Sequence, residues 1–249
     1  MPEYDYLYLG DNARAPYGPR SFQRVYEFTL QAVRRLFDLG CPLVILACNT
    51  ASAKALRTIQ QHDLPVMPDS TCRVLGVIRP TVEAVDQMTR TRHIGIVATQ
   101  GTINSQTYEL EMAKLHPDIT ITGQACPMWV PLVENGEIDT PATDYFVQRD
   151  INQLLSRDPK IDTIILGCTH FPLILNKVRA HTPASVQLIS QGEYVAHSLR
   201  DYLYRHPEMQ SRLSQNSQAH FLTTEQADSF APAATVFLGH PVAAEQITL

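Results

Sequence analysis

Short aliphatic runs alternate with amphipathic segments of helical length along this chain, and that rhythm restricts its folds more than any other feature. Residues 43–47 and 164–167 contain only aliphatic residues and glycine, as strands buried on both faces do. The segments between such runs are predicted to be helices, among them 21–40, 51–62, 103–115 and 143–156. Strands joined by helical crossovers predict an α/β fold with parallel sheets covered by helices on both faces.

The alternation of strands and helices occurs twice along the chain, which predicts two units of similar organisation. The polar segment 86–93 interrupts it and marks the change from one unit to the next. We expect a first unit made of residues 1–90 plus 190–249 and a second made of residues 91–189. Each is predicted to be a three-layer α/β/α unit, and the two pseudo-symmetric units are expected to face each other across a cleft.

The last part of the chain is expected to return to the first unit. After a helix predicted from Gly192, residues 220–239 have the pattern of a strand and a short helix that pack back on this unit. The polar segment 207–218 is predicted to be a mobile surface loop.

Charge and composition argue against several classes of partner. The net charge of −5, the isoelectric point near 6.0 and the lack of a Lys/Arg-rich run argue against nucleic acid. The first ten residues do not resemble a signal peptide, and no apolar stretch approaches the roughly 18 residues of a membrane span. We expect a cytoplasmic protein with no membrane partner, and the sequence leaves a homodimer open.

The five cysteines are odd in number and include no C-x-x-C pair. This pattern argues against a disulfide framework and against a structural zinc site, so we expect free thiols and no metal. Cys41, Cys72 and Cys126 are expected to be small buried hydrophobes.

Cys48 and Cys168 stand apart because they occupy matching positions in the two units. Each ends an aliphatic run, "LVILAC" and "TIILGC", where the carboxyl end of a parallel strand places ligand-binding groups. Each precedes two side chains that can form hydrogen bonds: Asn49 and Thr50 in one unit, Thr169 and His170 in the other. Packing alone explains one such cysteine well, but it explains two matched ones poorly.

Two thiols that approach one cleft from opposite sides would stand on the two faces of a carbon atom. That geometry suits the inversion of a stereocentre, in which one thiol removes a proton and the other returns it, without a cofactor. Near-attack distances of roughly 3.5 Å on each side place the sulfurs about 7 Å apart. Because an ordinary thiol has a pKa of about 8.5, each base needs nearby donors, and His170 is the nearest candidate to assist Cys168.

Four motifs in order carry a resemblance to the glutamate racemases of the aspartate/glutamate racemase superfamily: "GDNARAPYG" at 10–18, "ACNTASAKAL" at 47–56, "VPLVENG" at 130–136 and "GCTHFPL" at 167–173. The resemblance implies interconversion of L- and D-glutamate without pyridoxal phosphate or metal, which supplies D-glutamate to bacterial peptidoglycan. It also implies that Cys48 and Cys168 are the two proton donors and acceptors.

The resemblance further implies which residues surround the substrate. Glu134 matches a carboxylate that supports the base of the second unit. The positions that match substrate-holding residues are Tyr17, Gly18, Asn49, Thr50, Thr169 and His170. Thr99 and Thr102 precede or begin a predicted helix, where they either add hydroxyls to the cleft or serve as an ordinary N-cap.

Three hypotheses remain open at this point. The first is a racemase with two cysteine bases. The second is a protein that binds glutamate but is catalytically impaired, because the chain lacks the family's N-terminal strand with its Asp-Ser-Gly turn. The third, ranked last, is a redox protein in which Cys48 and Cys168 form a disulfide, which requires Cα atoms within about 7 Å.

We predict that extending the chain at its N-terminus by a strand, an Asp-Ser-Gly turn and a helix raises both stability and activity. In a sheet of order 2-1-3-4 the added strand lies inside the sheet, where about four buried aliphatic side chains contribute on the order of 8 kcal/mol. Melting temperature and racemisation rate of both versions decide this. Equal values for the two chains would contradict it.

Overall fold

The computed structural model describes residues 1–249, apart from the side chain of Ala233. All six strand pairings in the described chain are parallel, which confirms the predicted α/β class. The strands are β1 Tyr6–Gly10, β2 Leu43–Leu46, β3 Arg73–Gly76, β4 His93–Ala98, β5 Thr120–Ala125, β6 Thr163–Gly167, β7 Gln187–Ile189, β8 Ala219–Thr223 and β9 Ala244–Gln246.

Helices connect these strands in the predicted alternation. They are α1 Phe22–Asp38, α2 Asn49–Lys54, α3 Leu56–Thr58, α4 Ile78–Val85, α5 Gln100–Asn104, α6 Thr107–Leu115, α7 Trp129–Glu134, α8 Pro141–Arg157, α9 Leu175–Ala180, α10 Gly192–Arg205, α11 Pro207–Gln210 and α12 Ala227–Leu238. A membrane crossing would need a longer and more apolar helix than any in the described residues.

The four-stranded sheet, in the order β5-β4-β6-β7, consists of strands between residues 93 and 189. Alternate residues of β6 face opposite sides, so Ile164 packs with Trp129 and Phe171 on one face and Ile165 packs with Tyr108 on the other. Helices therefore cover both faces, as expected for a parallel sheet. This arrangement supports our proposed second unit.

The remaining strands form two separate sheets rather than one. β1, β8 and β9 make one sheet, and β2 pairs with β3 in the other. Within the described residues, no strand pairing joins β1 to β2. The strand β8 pairs with β1 from Tyr6↔Ala219 to Gly10↔Thr223, which supports our proposed first unit.

Two local predictions are wrong. Part of the expected mobile loop at 207–218 is the helix α11, because Met209 is buried against Tyr4 and Leu203. The expected single helix at 51–62 is divided into α2, α3 and a π-helical turn at Ile59–Asp63.

Asp162 fixes the polar crossover that leads into β4. Its carboxylate accepts hydrogen bonds from the Thr89 hydroxyl at 2.7 Å and from the backbone N–H groups of Arg90 and Thr91 at 2.7 and 2.9 Å. Burial alone would raise the pKa of Asp162, but these hydrogen bonds outweigh it and lower the pKa to about 2. The charged form therefore stabilises the folded chain.

We predict that Asp162→Asn lowers the free energy of unfolding by about 1–2 kcal/mol at pH 7, after allowance for solvent screening. Because the folded pKa lies below the unfolded one, the stabilisation is present above about pH 4 and is lost as pH falls toward about 2. Urea titrations of both proteins across this range measure it, with the exposed Asp139→Asn as the control. A difference that stays constant with pH would contradict the prediction.

Candidate active site

The two thiols singled out in the sequence both lie at carboxyl ends of parallel strands. Cys48 separates β2 from α2, and Cys168 directly follows β6. Both are free thiols. The register of the central sheet places Ala98 opposite Gly167, so Thr99 and Cys168 leave neighbouring strands side by side. The chain therefore presents polar groups from adjacent strand ends at one edge of the sheet, as the sequence predicted.

Burial dominates the acidity of both sulfurs. It raises the pKa of the Cys48 thiol, although the N–H groups of Ala51 and Thr50 lower it in part. Burial likewise raises the pKa of Cys168 to about 12, against the N–H groups of His170 and Phe171. The sequence suggested that local donors would help ionisation; they are present, but desolvation outweighs them.

The two sulfurs also interact with each other electrostatically. Negative charge on Cys48 raises the pKa of Cys168 further. A second thiolate is therefore harder to form than the first, and the site favours at most one thiolate at a time. A thiolate formed in this environment is a stronger base than a free one.

His170 lies between Cys168 and Glu134. Its Nδ1 lies 3.8 Å from the Cys168 Sγ, and its Nε2 forms a hydrogen bond with the Glu134 carboxylate at the end of α7. That hydrogen bond lowers the pKa of Glu134 despite partial burial. The ring of Phe237, from α12, meets the His170 ring edge-on with centroids 5.4 Å apart. Thr169 is exposed beside this group.

Three hydroxyls from the two units meet in one cluster. The Oγ1 atom of Thr50 lies 2.9 Å from that of Thr99 and 3.3 Å from that of Thr102. Thr99 also caps α5, since its hydroxyl accepts a hydrogen bond from the Thr102 N–H. The cap and the shared cluster are therefore compatible, and Thr99 serves both.

The turn that carries Tyr17 and Gly18 lies against this cluster. A Cβ atom at Gly18 would stand 3.0 Å from the Cβ of Thr99, so a side chain there would require Thr99 to shift by a few tenths of an ångström. The Tyr17 hydroxyl donates to the Asp11 carboxylate, and burial together with this hydrogen bond raises the pKa of Tyr17. Within the described residues, the backbone N–H groups of Tyr17 and Gly18 donate to no protein acceptor.

Asp11 was not singled out from the sequence, although it lies inside the "GDNARAPYG" motif. Besides Tyr17 it accepts hydrogen bonds from Arg14 Nε at 2.8 Å and from the Thr224 hydroxyl at 3.0 Å. The three-residue spacing of Asp11 and Arg14 was the available signal. Thr224 follows β8, so its approach depends on the long-range pairing of β8 with β1.

Asn49 anchors a buried polar network that the sequence did not indicate. Its Nδ2 donates to Gln191 Oε1 and its Oδ1 accepts from the Tyr108 hydroxyl, both at 2.7 Å. Gln191 Nε2 donates to Tyr108 at 2.7 Å and to the Thr81 hydroxyl at 2.8 Å. Both ends of the Asn49 amide are therefore committed, which leaves its backbone for the substrate contact that the resemblance implied.

Comparison with known proteins identifies the family. The model of the Asp/Glu/hydantoin racemases matches residues 1–199. The chain belongs to this family. It is 39% identical to the glutamate racemase of Dinoroseobacter shibae over 248 residues, which cover 96% of the chain and 88% of that relative. The Bacillus cereus enzyme is 36% identical over 97% of the chain and 86% of its own length.

Solved structures agree with the family assignment. The crystal structure of glutamate racemase isoform RacE1 from Bacillus anthracis superposes with a TM-score of 0.89 at 32% identity, over 100% of this chain and 90% of that one. The Francisella tularensis glutamate racemase, solved with D-glutamate, has a TM-score of 0.83 at 27% identity, over 100% and 89%. The protein is therefore a racemase, an isomerase whose substrate is a small molecule.

We predict that Tyr108→Phe lowers the free energy of unfolding by about 1–3 kcal/mol, because Asn49 Oδ1 loses its donor while it stays buried. The racemisation rate should fall as well, since Asn49 directly follows Cys48. Tyr204→Phe, at a tyrosine that is 85% exposed, provides the control for the lost hydroxyl. Equal behaviour of the two variants in denaturant titration and assay would refute the role of the network.

Proposed function

We propose that this racemase interconverts L- and D-glutamate without a cofactor and that Cys48 and Cys168 are its two bases. The observation that carries the proposal is the pair of free thiols beyond the carboxyl ends of two parallel strands, Cys48 after β2 and Cys168 after β6. The D-glutamate named with the Francisella tularensis relative supports the substrate. We further propose that the reaction supplies D-glutamate for bacterial peptidoglycan in the cytoplasm.

The proton balance requires one thiolate and one thiol at the start of each turnover. The thiolate removes the α-proton, so a C–H bond breaks and an S–H bond forms. The thiol on the opposite face then gives its proton to the same carbon, and its sulfur becomes the thiolate. The next substrate of opposite configuration reverses these roles. Mutual repulsion disfavours the doubly ionised pair, a state that this cycle does not use.

His170 and Glu134 provide a place for the Cys168 proton. When the Nε2–H of His170 donates to Glu134, its Nδ1 is free to accept from the thiol. The proton that leaves the sulfur then gives an imidazolium paired with a carboxylate, which stabilises the neighbouring thiolate. Cys48 relies on the backbone N–H groups of Ala51 and Thr50 instead.

The two carboxylates of glutamate have distinct partners in this proposal. The hydroxyl cluster of Thr50, Thr99 and Thr102 donates to the carboxylate beside the reacting carbon, because Thr50 lies two residues from Cys48. The backbone N–H groups of Tyr17 and Gly18, which donate to no protein acceptor, donate hydrogen bonds to the distal carboxylate. Hydrogen bonds from several neutral donors to a carboxylate are charge-assisted and therefore strong.

The direct test is racemisation of L- and D-glutamate by the chain itself, followed by circular dichroism. We expect the signal to decay to zero from either enantiomer. A signal that stays constant with both would refute the proposed function.

Binding of glutamate without turnover is the second candidate. It is favoured by the observation that β2, which ends two residues before Cys48, shares no strand pairing with β1 in the described chain. A sheet divided at that point would hold the first thiol less firmly than the second. Calorimetric binding of D-glutamate together with no racemisation would favour this candidate over the first.

We predict that Cys48→Ala and Cys168→Ala each abolish racemisation in both directions, because every turnover needs both sulfurs. Serine at either position should not restore the rate, since a hydroxyl stays protonated at neutral pH. The dichroism assay measures the loss, and Cys72→Ala, at a buried thiol outside the site, is the matched control. A variant that keeps more than about a tenth of the activity, a barrier change under about 1.4 kcal/mol, would not have lost an essential base.

A further inference from the structure

Lys54 is a buried cation that the proposed reaction does not use. It ends α2, is 8% exposed, and donates from Nζ to the backbone carbonyl of Arg20 at 2.6 Å. Within the described residues, no carboxylate oxygen lies within 4 Å of this ammonium group. Lysines are rarely buried to this degree without a carboxylate partner, so the position calls for a physical explanation.

The ammonium group lies where three elements of the site converge. A Cβ atom at Gly101, in α5, would stand 2.7 Å from Lys54 Nζ and 2.5 Å from the carbonyl oxygen of Gly18. The turn that carries Tyr17 and Gly18 is closed by the Arg20 N–H, which donates to the Tyr17 carbonyl at 3.1 Å. Lys54 therefore lies directly beneath the turn whose N–H groups are unused.

The charges around this turn do not cancel. Arg14 is paired with Asp11, whereas Lys54 and Arg20 form no ion pair among the described residues. Burial lowers the pKa of Lys54, which reflects the cost of holding this charge without a carboxylate. In surroundings of reduced dielectric an unpaired charge acts over several ångströms on whatever binds beside it. An anion at the turn would offset that cost.

We propose that Lys54 is a specificity-determining residue, whose ammonium group makes the Tyr17–Gly18 turn select amino acids with a second, distal carboxylate over those with a neutral amide. The inference rests on the proposed function and adds the source of charge selectivity. The N–H groups alone would donate to an amide oxygen nearly as well as to a carboxylate oxygen. A buried positive charge favours the carboxylate over the neutral amide.

Variants at this position separate charge from structural support. Lys54→Gln keeps a donor for the Arg20 carbonyl but removes the charge, and Lys54→Met removes both. Lys54→Arg keeps the charge. If charge decides selectivity, Gln and Met behave alike and Arg resembles the wild type; if support of the turn decides it, Gln resembles the wild type and Met does not.

The experiment measures dissociation constants of D-glutamate and D-glutamine for each full-length protein, by calorimetry and by competition in the racemisation assay. We expect the preference for glutamate over glutamine to fall at least tenfold in Lys54→Gln and Lys54→Met, with the loss appearing in KM more than in kcat. Lys54→Arg should retain the preference. The exposed Lys160→Gln is the matched control, and thermal melts verify that each variant is folded.

The outcomes distinguish this inference from the function beneath it. Equal weakening of both ligands in Lys54→Gln, or an unchanged preference, would overturn the role of Lys54 and leave the proposed function standing. Failure of the wild type to bind glutamate would overturn the proposed function itself, and with it the inference. If Lys54→Met does not fold, the Gln and Arg variants still decide between charge and support.

Discussion

The hydrogen bonds between Asn49, Gln191 and Tyr108 fix the position of Cys48 relative to the elements of the second unit. The proposed two-base reaction depends on this relative position, because each thiol must reach the same carbon from its own side. Asn49 immediately follows Cys48, whereas Tyr108 belongs to the helix that packs on the central sheet. Because all three groups are buried and satisfied, separating the units would leave several polar atoms unpaired at about 1–3 kcal/mol each. The network therefore resists a change in the distance between the thiols.

Parallel strand pairing positions the second-unit residues of the site. The register that sets Ala98 opposite Gly167 brings the hydroxyl of Thr99 beside Cys168 without any specialised loop. The same edge receives Thr50 from the first unit, which shares hydrogen bonds with Thr99 and Thr102. Hydroxyls can donate or accept, so the cluster remains satisfied when empty and can turn its donors toward a carboxylate when a ligand enters.

The ionisable groups of the site lie at two places: the thiols at the strand ends and the Lys54 ammonium group beneath the Tyr17–Gly18 turn. Burial disfavours ionisation of both thiols, and only the second-unit thiol has an imidazole and a carboxylate in line with it. At the other end Lys54 holds a positive charge under the Tyr17–Gly18 turn. An amino acid with a second carboxylate matches the positions of these groups better than an amino acid with a single carboxylate does.

Periodicity and short motifs predicted the parallel α/β organisation and the position of Cys48 and Cys168 at the ends of strands. They missed features that depend on distant contacts. The helix expected at 103–115 is broken because Gln106 adopts φ +54°. The polar residues on either side of Gln106 did not indicate this break. The commitment of the Asn49 side chain to Gln191, which lies 142 residues away, could not be predicted from local pattern.

Racemisation of L-glutamate in D₂O, stopped early in the reaction, tests the central claim most directly. Two thiols on opposite faces deliver the solvent isotope only to the product side. We therefore predict that the D-glutamate formed carries deuterium at Cα, while the recovered L-glutamate retains its proton, and that the reverse holds from D-glutamate. Deuterium in recovered substrate and product alike would point to one base that serves both faces and would contradict the account.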